Sequence, residues 1–280
     1  MKILAIDTSS KICSVAILED EKTIIELHND DEKTHSVKLM PLVDKAFLET
    51  GLSLDDIGLL VCSIGPGSFT GVRIGIATIK AFADVKNIPV VGVTSLESLA
   101  YNVGAIIYNG HIKDISENKE LYQGITPIDP LEDTVICSLI DAKNENVYAG
   151  LYHFANGNCE CLSLFTENIH EVITQIATKI SNFGHIVFVG DGSEVYADLL
   201  KASFGYGIFA VNASADTDAS SVAGEHANIS AIFALRGQNK QNGVSLAKAG
   251  LSKYKQGQYG DSSSLSPIYL RKSQAERALA

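Results

Sequence analysis

AIDTSSKICSVAIL, residues 5–18, decides the fold when it is set beside LIDAKNENVYAGLY, residues 139–152. Both stretches are 14 residues long, and both carry Ile-Asp at their second and third positions. Each reads as an apolar strand, a polar turn and a second strand. A shared dipeptide alone has little weight. What surrounds it has more.

Working outward from the first stretch, KILAID, ICSVAILE and TIIELH are short runs rich in β-branched residues and separated by polar turns, a meander of three strands. In THSVKLMPLVDKAFLETG, residues Leu39, Leu42, Val43, Ala46 and Phe47 share one helical stripe, with Thr34 or Ser36 as N-cap and Gly51 past the end. IGLLVCSI is a continuous apolar strand, GVRIGIATIKAFAD a helix, IPVVGV a strand and SLESLAYN a helix. The second stretch is followed by the same series: TVICSLID, NVYAGLYHF and CLSLF as strands, a helix over 168–181, HIVFVG as a strand, a helix over 193–203, IFAV as a strand and a helix over 219–236. Each half is βββαβαβα. The sequence therefore predicts an α/β chain made of two duplicated ribonuclease-H-like domains, at 1–104 and 134–236, facing each other across a cleft. Residues 105–133 read as an inserted interdomain segment, and 237–280 as a polar C-terminal tail ending in PIYLRKSQAERAL.

With 280 residues, 46% of them hydrophobic, the chain is large enough to bury a substantial core. Its formal charge is −11, which repels a phosphate backbone unless basic residues cluster. A local basic surplus lies in residues 248–280, so weak RNA binding by the chain alone is expected to depend on Lys253, Lys255, Arg271 and Lys272. The first residues are too short in apolar length for a secretory signal, and no run approaches the ~18 apolar residues that span a bilayer, so a cytoplasmic protein is expected, without membrane association. Five cysteines, at 13, 62, 137, 159 and 161, make no disulfide framework and no zinc spacing.

The duplicated architecture resembles the actin, Hsp70 and sugar-kinase (ASKHA) superfamily, whose members bind ATP. In that superfamily the turn after the first strand of each domain pairs an Asp with Gly, because the backbone must approach phosphates without a Cβ in the way. Here the turns read Asp7-Thr8-Ser9-Ser10 and Asp141-Ala142-Lys143-Asn144: each keeps its acid and lacks its glycine. Asp7, Thr8, Ser9 and Asp141, with Gly190 and Gly192 where the superfamily contacts adenosine, are read as a degenerate nucleotide site. No cofactor or metal is expected, and weak nucleotide binding stays open. The glycine-rich turn GPGSFTG, residues 65–71, fits neither the Walker spacing nor G-x-G-x-x-G. The helix it opens carries Gly71, Gly75, Thr78 and Phe82 on one stripe and Val72, Ile76, Ile79 and Ala83 on another, and is apolar on more than one side. Small residues at 71 and 75 would let a second helix approach closely.

ILAIDTSS, THSVKLMPLVDKAF, GPGSFTGVRIGIATIKAFA, GVTSLESLA, DAKNENVYAGLY and PIYLRKSQAERAL together resemble the TsaB (YeaZ) family, over residues 2–279. The resemblance implies a non-catalytic paralogue of TsaD, which it activates in transferring a threonylcarbamoyl group to adenosine 37 of tRNA. It implies pairing with TsaD through the two helices of the first domain, with TsaE joining the complex and tRNA bound only through it. The implied interface is His35, Ser36, Val37, Met40, Asp44, Gly71, Arg73, Gly75, Thr78 and Phe82, and self-pairing through the same helices stays open. The chain departs from the family pattern at Val37, where many members have Glu, and at Lys143 and Asn146, where Arg and Glu are usual. Two other classes remain: an autonomous ATPase or small-molecule kinase, and a metallopeptidase. Against the latter, the seven histidines include no i, i+4 pair and no H-E-x-x-H.

Overall fold

Strand β1 (Lys2–Asp7) is apolar from Ile3 to Ile6 because both of its faces are covered, and every residue from Ile3 to Asp7 is buried. The computed structural model describes residues 1–29, 35–108, 133–155, 158–204, 229–234 and 236–270. β2 (Cys13–Glu19) pairs antiparallel with β1, placing Asp7 opposite Ser14, and β3 (Lys22–Asn29) pairs antiparallel with β2. β4 (Ile57–Ser63) and β5 (Val90–Val93) extend the other side in parallel, for the order β3-β2-β1-β4-β5.

One face of this sheet, through Leu4, Ile6, Val15, Ile17, Leu60 and Cys62, packs on α1 (His35–Thr50) and α2 (Phe69–Lys86). Gly51, at φ +68°, follows α1 in the left-handed conformation that ends helices. α2 starts at Ser68, whose hydroxyl accepts the Gly71 N–H at 3.1 Å, and stops at Asn87, also left-handed. β5 leads into α3 (Ser95–Tyr108).

The second sheet repeats the first. β6 (Thr134–Asp141) is central, β7 (Val147–Ala155) and β8 (Asn158–Phe165) are antiparallel on one side, and β9 (His185–Val189) and β10 (Ser230–Phe233) are parallel on the other. Its core packs on α4 (Ile169–Lys179) and α6 (Ala197–Phe204), and α5 (Asp191–Val195) follows β9. The chain is a duplicated α/β ribonuclease-H-like fold. The two quoted stretches differ in one respect that equal length conceals. Asp141 lies opposite Val147, so the second turn is one residue tighter than the first. Lys143, Asn144 and Glu145 take positive φ values of 65°, 54° and 58° to close it.

The structure corrects three elements. The segment read as a polar tail contains α7 (Gly243–Lys255), which packs on the face of the first sheet opposite α1 and α2. Leu246, Ala247, Ala249, Gly250 and Leu251 are buried there, a stripe masked by the segment's polar composition. Lys240–Ala280 accordingly belongs with Met1–Tyr101 in one compact unit, and Asn102–Asn239 forms the other. Ser230–Phe233 is a strand, although it falls inside the helix expected at 219–236. A short apolar run has no periodicity to distinguish the two, and pairing with β9 decides it. The helix expected at 193–203 is two short helices, α5 and α6. The expected strand at 208–211, the residues 219–228 of that helix, and most of the inserted segment lie outside the described residues.

Candidate functional site

The turn after β1 is closed by the chain itself. Asp7, Thr8 and Ser9 are 0%, 1% and 2% exposed. Ser9 donates to Asp7 Oδ1 twice, from its backbone N–H at 2.8 Å and its hydroxyl at 2.7 Å. Asp7 Oδ2 is buried with no partner among the described residues. Burial pushes the Asp7 carboxyl above the ordinary aspartate range, and the two Ser9 bonds oppose this. Covering the turn is the glycine-rich loop: Ser68 N–H donates to the Ser9 carbonyl at 2.6 Å, and a side chain at Gly67 would collide with that same carbonyl. Only glycine fits such a close backbone approach. The turn after β1 is thus closed over by residues 67–71 of the chain itself.

In the second unit, Asp141 Oδ1 accepts the Lys143 N–H at 2.9 Å and the Tyr196 hydroxyl at 3.3 Å, and Oδ2 pairs with Lys143 Nζ. Burial disfavours ionisation of Asp141, but the bonds from Lys143 and Tyr196 outweigh it and hold the carboxyl below its ordinary range. The Gly190 N–H is taken by the buried Asn239 side chain at 2.9 Å, and a Cβ at Gly192 would press on the Leu139 backbone at 3.0 Å. All six residues assigned to a degenerate nucleotide site hold parts of their own unit. Among the described residues, no group of three or more His, Cys, Asp or Glu is placed to hold a metal ion, and no helix is long and apolar enough to cross a membrane.

The residues assigned to a partner interface divide into two sets. Gly71 and Gly75 are buried against β1: the Thr8 hydroxyl donates to the Gly71 carbonyl at 2.8 Å, and a Cβ at Gly75 would stand 2.5 Å from Thr8 Oγ1. The close approach these glycines permit is made to their own domain, which corrects the expectation that they meet a second helix. Phe82 is half-buried on the core, Thr78 bonds the Ile74 carbonyl at 2.9 Å, and His35 bonds the Ser10 carbonyl through Nε2 at 2.8 Å. Burial depresses the His35 pKa, partly offset by that bond.

Ser36, Val37, Met40, Asp44 and Arg73 are exposed. Val37 and Met40 continue along α1 to Leu48, and are 57%, 42% and 83% exposed respectively. On α2, which packs beside α1, the outward stripe runs from half-buried Ile74, which also packs on the core, through Ala77 and Ala81 to Val85, the last 73% exposed. Sequence reasoning missed Leu48, Ile74 and Val85. Their signal was the apolar spacing that remains once the core stripe is removed: i, i+3, i+7, i+11 on α2, and i, i+3, i+11 on α1, where Asp44 stands at i+7.

Of the basic residues assigned to RNA, Lys253 is paired with Glu97 at 2.7 Å and Lys255 with Glu21 at 3.0 Å, while Arg271 and Lys272 lie outside the described residues. Both described lysines are engaged by carboxylates.

Fold and turn together define a duplicated ribonuclease-H-like protein whose first turn, after β1, is closed by its own glycine-rich loop. Solved structures share the fold: YeaZ from Pseudomonas aeruginosa aligns over 96% of this chain and 99% of its own length, with a TM-score of 0.62 and 19% identity. A second, titled an uncharacterized protein with similarity to peptidase YeaZ from the same organism, aligns over the same shares with a TM-score of 0.64 and 21% identity. In sequence, the family described as TsaD, tRNA N6-adenosine threonylcarbamoyltransferase, matches residues 27–111. The tRNA threonylcarbamoyladenosine biosynthesis protein TsaB of Escherichia coli is 32% identical over 211 residues, 72% of this chain and 77% of that protein. TsaB of Bacillus subtilis is 34% identical over 160 residues, 57% of this chain and 58% of its own length. The chain belongs to the TsaB family of tRNA threonylcarbamoyladenosine biosynthesis proteins.

Proposed function

We propose that the chain is a non-catalytic subunit that binds and activates a TsaD protein in threonylcarbamoyl transfer to adenosine 37 of tRNA. The observation that carries this reading is the pair of exposed apolar stripes on α1 and α2. Apolar side chains of that size, aligned along two adjacent helices, are the kind of surface that a protein partner covers. The family of the chain names the pathway, and the TsaD match over residues 27–111 includes both helices. The closed turn at Asp7 supports a partner role over an autonomous ATPase or kinase, because a phosphate there would have to displace the Gly67–Gly71 backbone. TsaE is expected to join the assembled complex, and self-pairing of the isolated chain is expected to use the same stripes.

The reading is tested by titrating the organism's own TsaD with the wild-type chain and with Leu48→Glu and Val85→Glu. A charge placed within an apolar contact is expected to weaken binding by about tenfold or more, equivalent to ~1.4 kcal/mol, with thermal unfolding unchanged because both sites are exposed. Wild-type affinity in both variants would remove α1 and α2 as the docking face.

A further inference from the structure

Arg73 is held in an unusual way for an exposed arginine. Its guanidinium carbon stacks 3.8 Å from the centre of the Phe69 ring and 5.6 Å from that of Tyr269, and its Nε donates to the Tyr269 hydroxyl at 2.7 Å. The two rings are themselves in contact, with centroids 5.1 Å apart. Phe69 and Tyr269 remain 43% and 47% exposed. The two terminal amino groups of Arg73 face no carboxylate among the described residues, in a chain with 33 acidic residues. The local sequence explains this. No Asp or Glu occurs between Asp56 and Asp84, nor between Asp261 and Glu276, and the Arg73–Tyr269 contact joins these two acid-free segments. The second continues directly into Arg271 and Lys272.

We propose that Phe69, Arg73 and Tyr269 form an RNA contact, in which the Arg73 guanidinium takes a backbone phosphate and the exposed tyrosine ring carries an unpaired base. A fork whose Nε is already fixed presents its remaining donors in one orientation, which suits a phosphate. Exposed rings beside it supply the stacking that single-stranded RNA seeks. A protein carboxylate is the weaker candidate. Successive helix residues are about 100° apart, so Arg73 lies a quarter-turn from the Ile74 stripe. It also lies on the flank of α2 turned to Tyr269, whereas Gly71 and Gly75 lie on the flank turned to Thr8.

The inference rests on the reading that the chain serves tRNA modification, and the test separates the two. The complex of the full chain with its TsaD is titrated into a labelled, unmodified tRNA transcript at several salt concentrations. Arg73→Ala is expected to lower affinity about tenfold, as for a lost charged hydrogen bond, and to reduce the slope of log affinity against log salt by roughly 0.7–0.9, one phosphate. Tyr269→Leu is expected to lower affinity about tenfold with less change in slope, since stacking releases no counterion. Arg73→Lys, which keeps the charge, is expected to keep the slope, and Arg73→Gln, which removes it, serves in place of the alanine variant should that variant unfold. Wild-type affinity and slope in Arg73→Ala overturn the RNA contact, as does loss of TsaD association with tRNA affinity unchanged, which would make Arg73 a protein contact. Failure of the wild-type complex to bind tRNA would overturn the functional reading itself, and the RNA contact with it.

Discussion

Replacing Gly75 by leucine decides which way the small face of α2 points. At this position a Cβ would stand 2.5 Å from Thr8 Oγ1 and in ordinary contact, at 3.6 and 3.8 Å, with Cys62 Sγ and Ile6 Cγ2. Alanine would therefore require only that the Thr8 hydroxyl turn away, breaking its 2.8 Å bond to the Gly71 carbonyl. That loss, about 1 kcal/mol, is close to the ~1 kcal/mol that alanine gains over glycine within a helix, so Gly75→Ala is expected to be nearly neutral. Leucine adds three further carbons between α2 and the strands β1 and β4, where no space remains. Overpacking of this kind costs about 1–3 kcal/mol, or roughly 2–12 °C in Tm for a chain of this size. The assay is thermal unfolding of the isolated chain beside titration with TsaD. Any loss of binding by Gly75→Leu should follow its loss of stability. A variant with wild-type Tm and no TsaD binding would refute the reasoning, because the glycine would then face the partner.

Asp7 sets a pH dependence. Its raised pKa means that the folded chain retains a proton the unfolded chain releases, so its contribution to stability is full below the ordinary aspartate value and is lost as pH rises through the raised one. Asp7→Asn is expected to flatten urea stability above the ordinary aspartate range and to be more stable than wild type once the pH has passed the raised value; an unchanged profile would count against a strained buried carboxyl. Thiol titration of the native chain should modify exposed Cys161 first and half-buried Cys159 more slowly. Cys13, pushed by burial to about 11, should react only on unfolding, together with buried Cys62 and Cys137. A fast phase that survives Cys161→Ser and Cys159→Ser together would contradict this. At Gly250 a Cβ would sit 2.5 Å from both Val61 methyls, so Gly250→Val is expected to lower stability in urea by about 1–3 kcal/mol, where a polar tail would lose nothing.

The sequence by itself determined the duplicated fold. Nine of the strand runs it marked are strands, and the hairpin about Asp7 recurs about Asp141, because strand and helix periodicity is a local property of side chains that must bury one face. The missing turn glycines were equally legible, since the need for glycine in a tight turn is written in single positions. Three matters were left to tertiary structure. Helical spacing placed Gly71 and Gly75 on one stripe but did not say what met it, and the answer is Thr8, some sixty residues earlier in the chain. Polar composition hid α7, whose buried stripe has meaning only against Ala16 and Val61 of the first sheet. Tyr269 and Arg73, 196 positions apart, carried no mutual signal. Periodicity records how much of an element is buried, whereas the identity of what buries it is a contact between distant segments, and that exists only once the chain has folded.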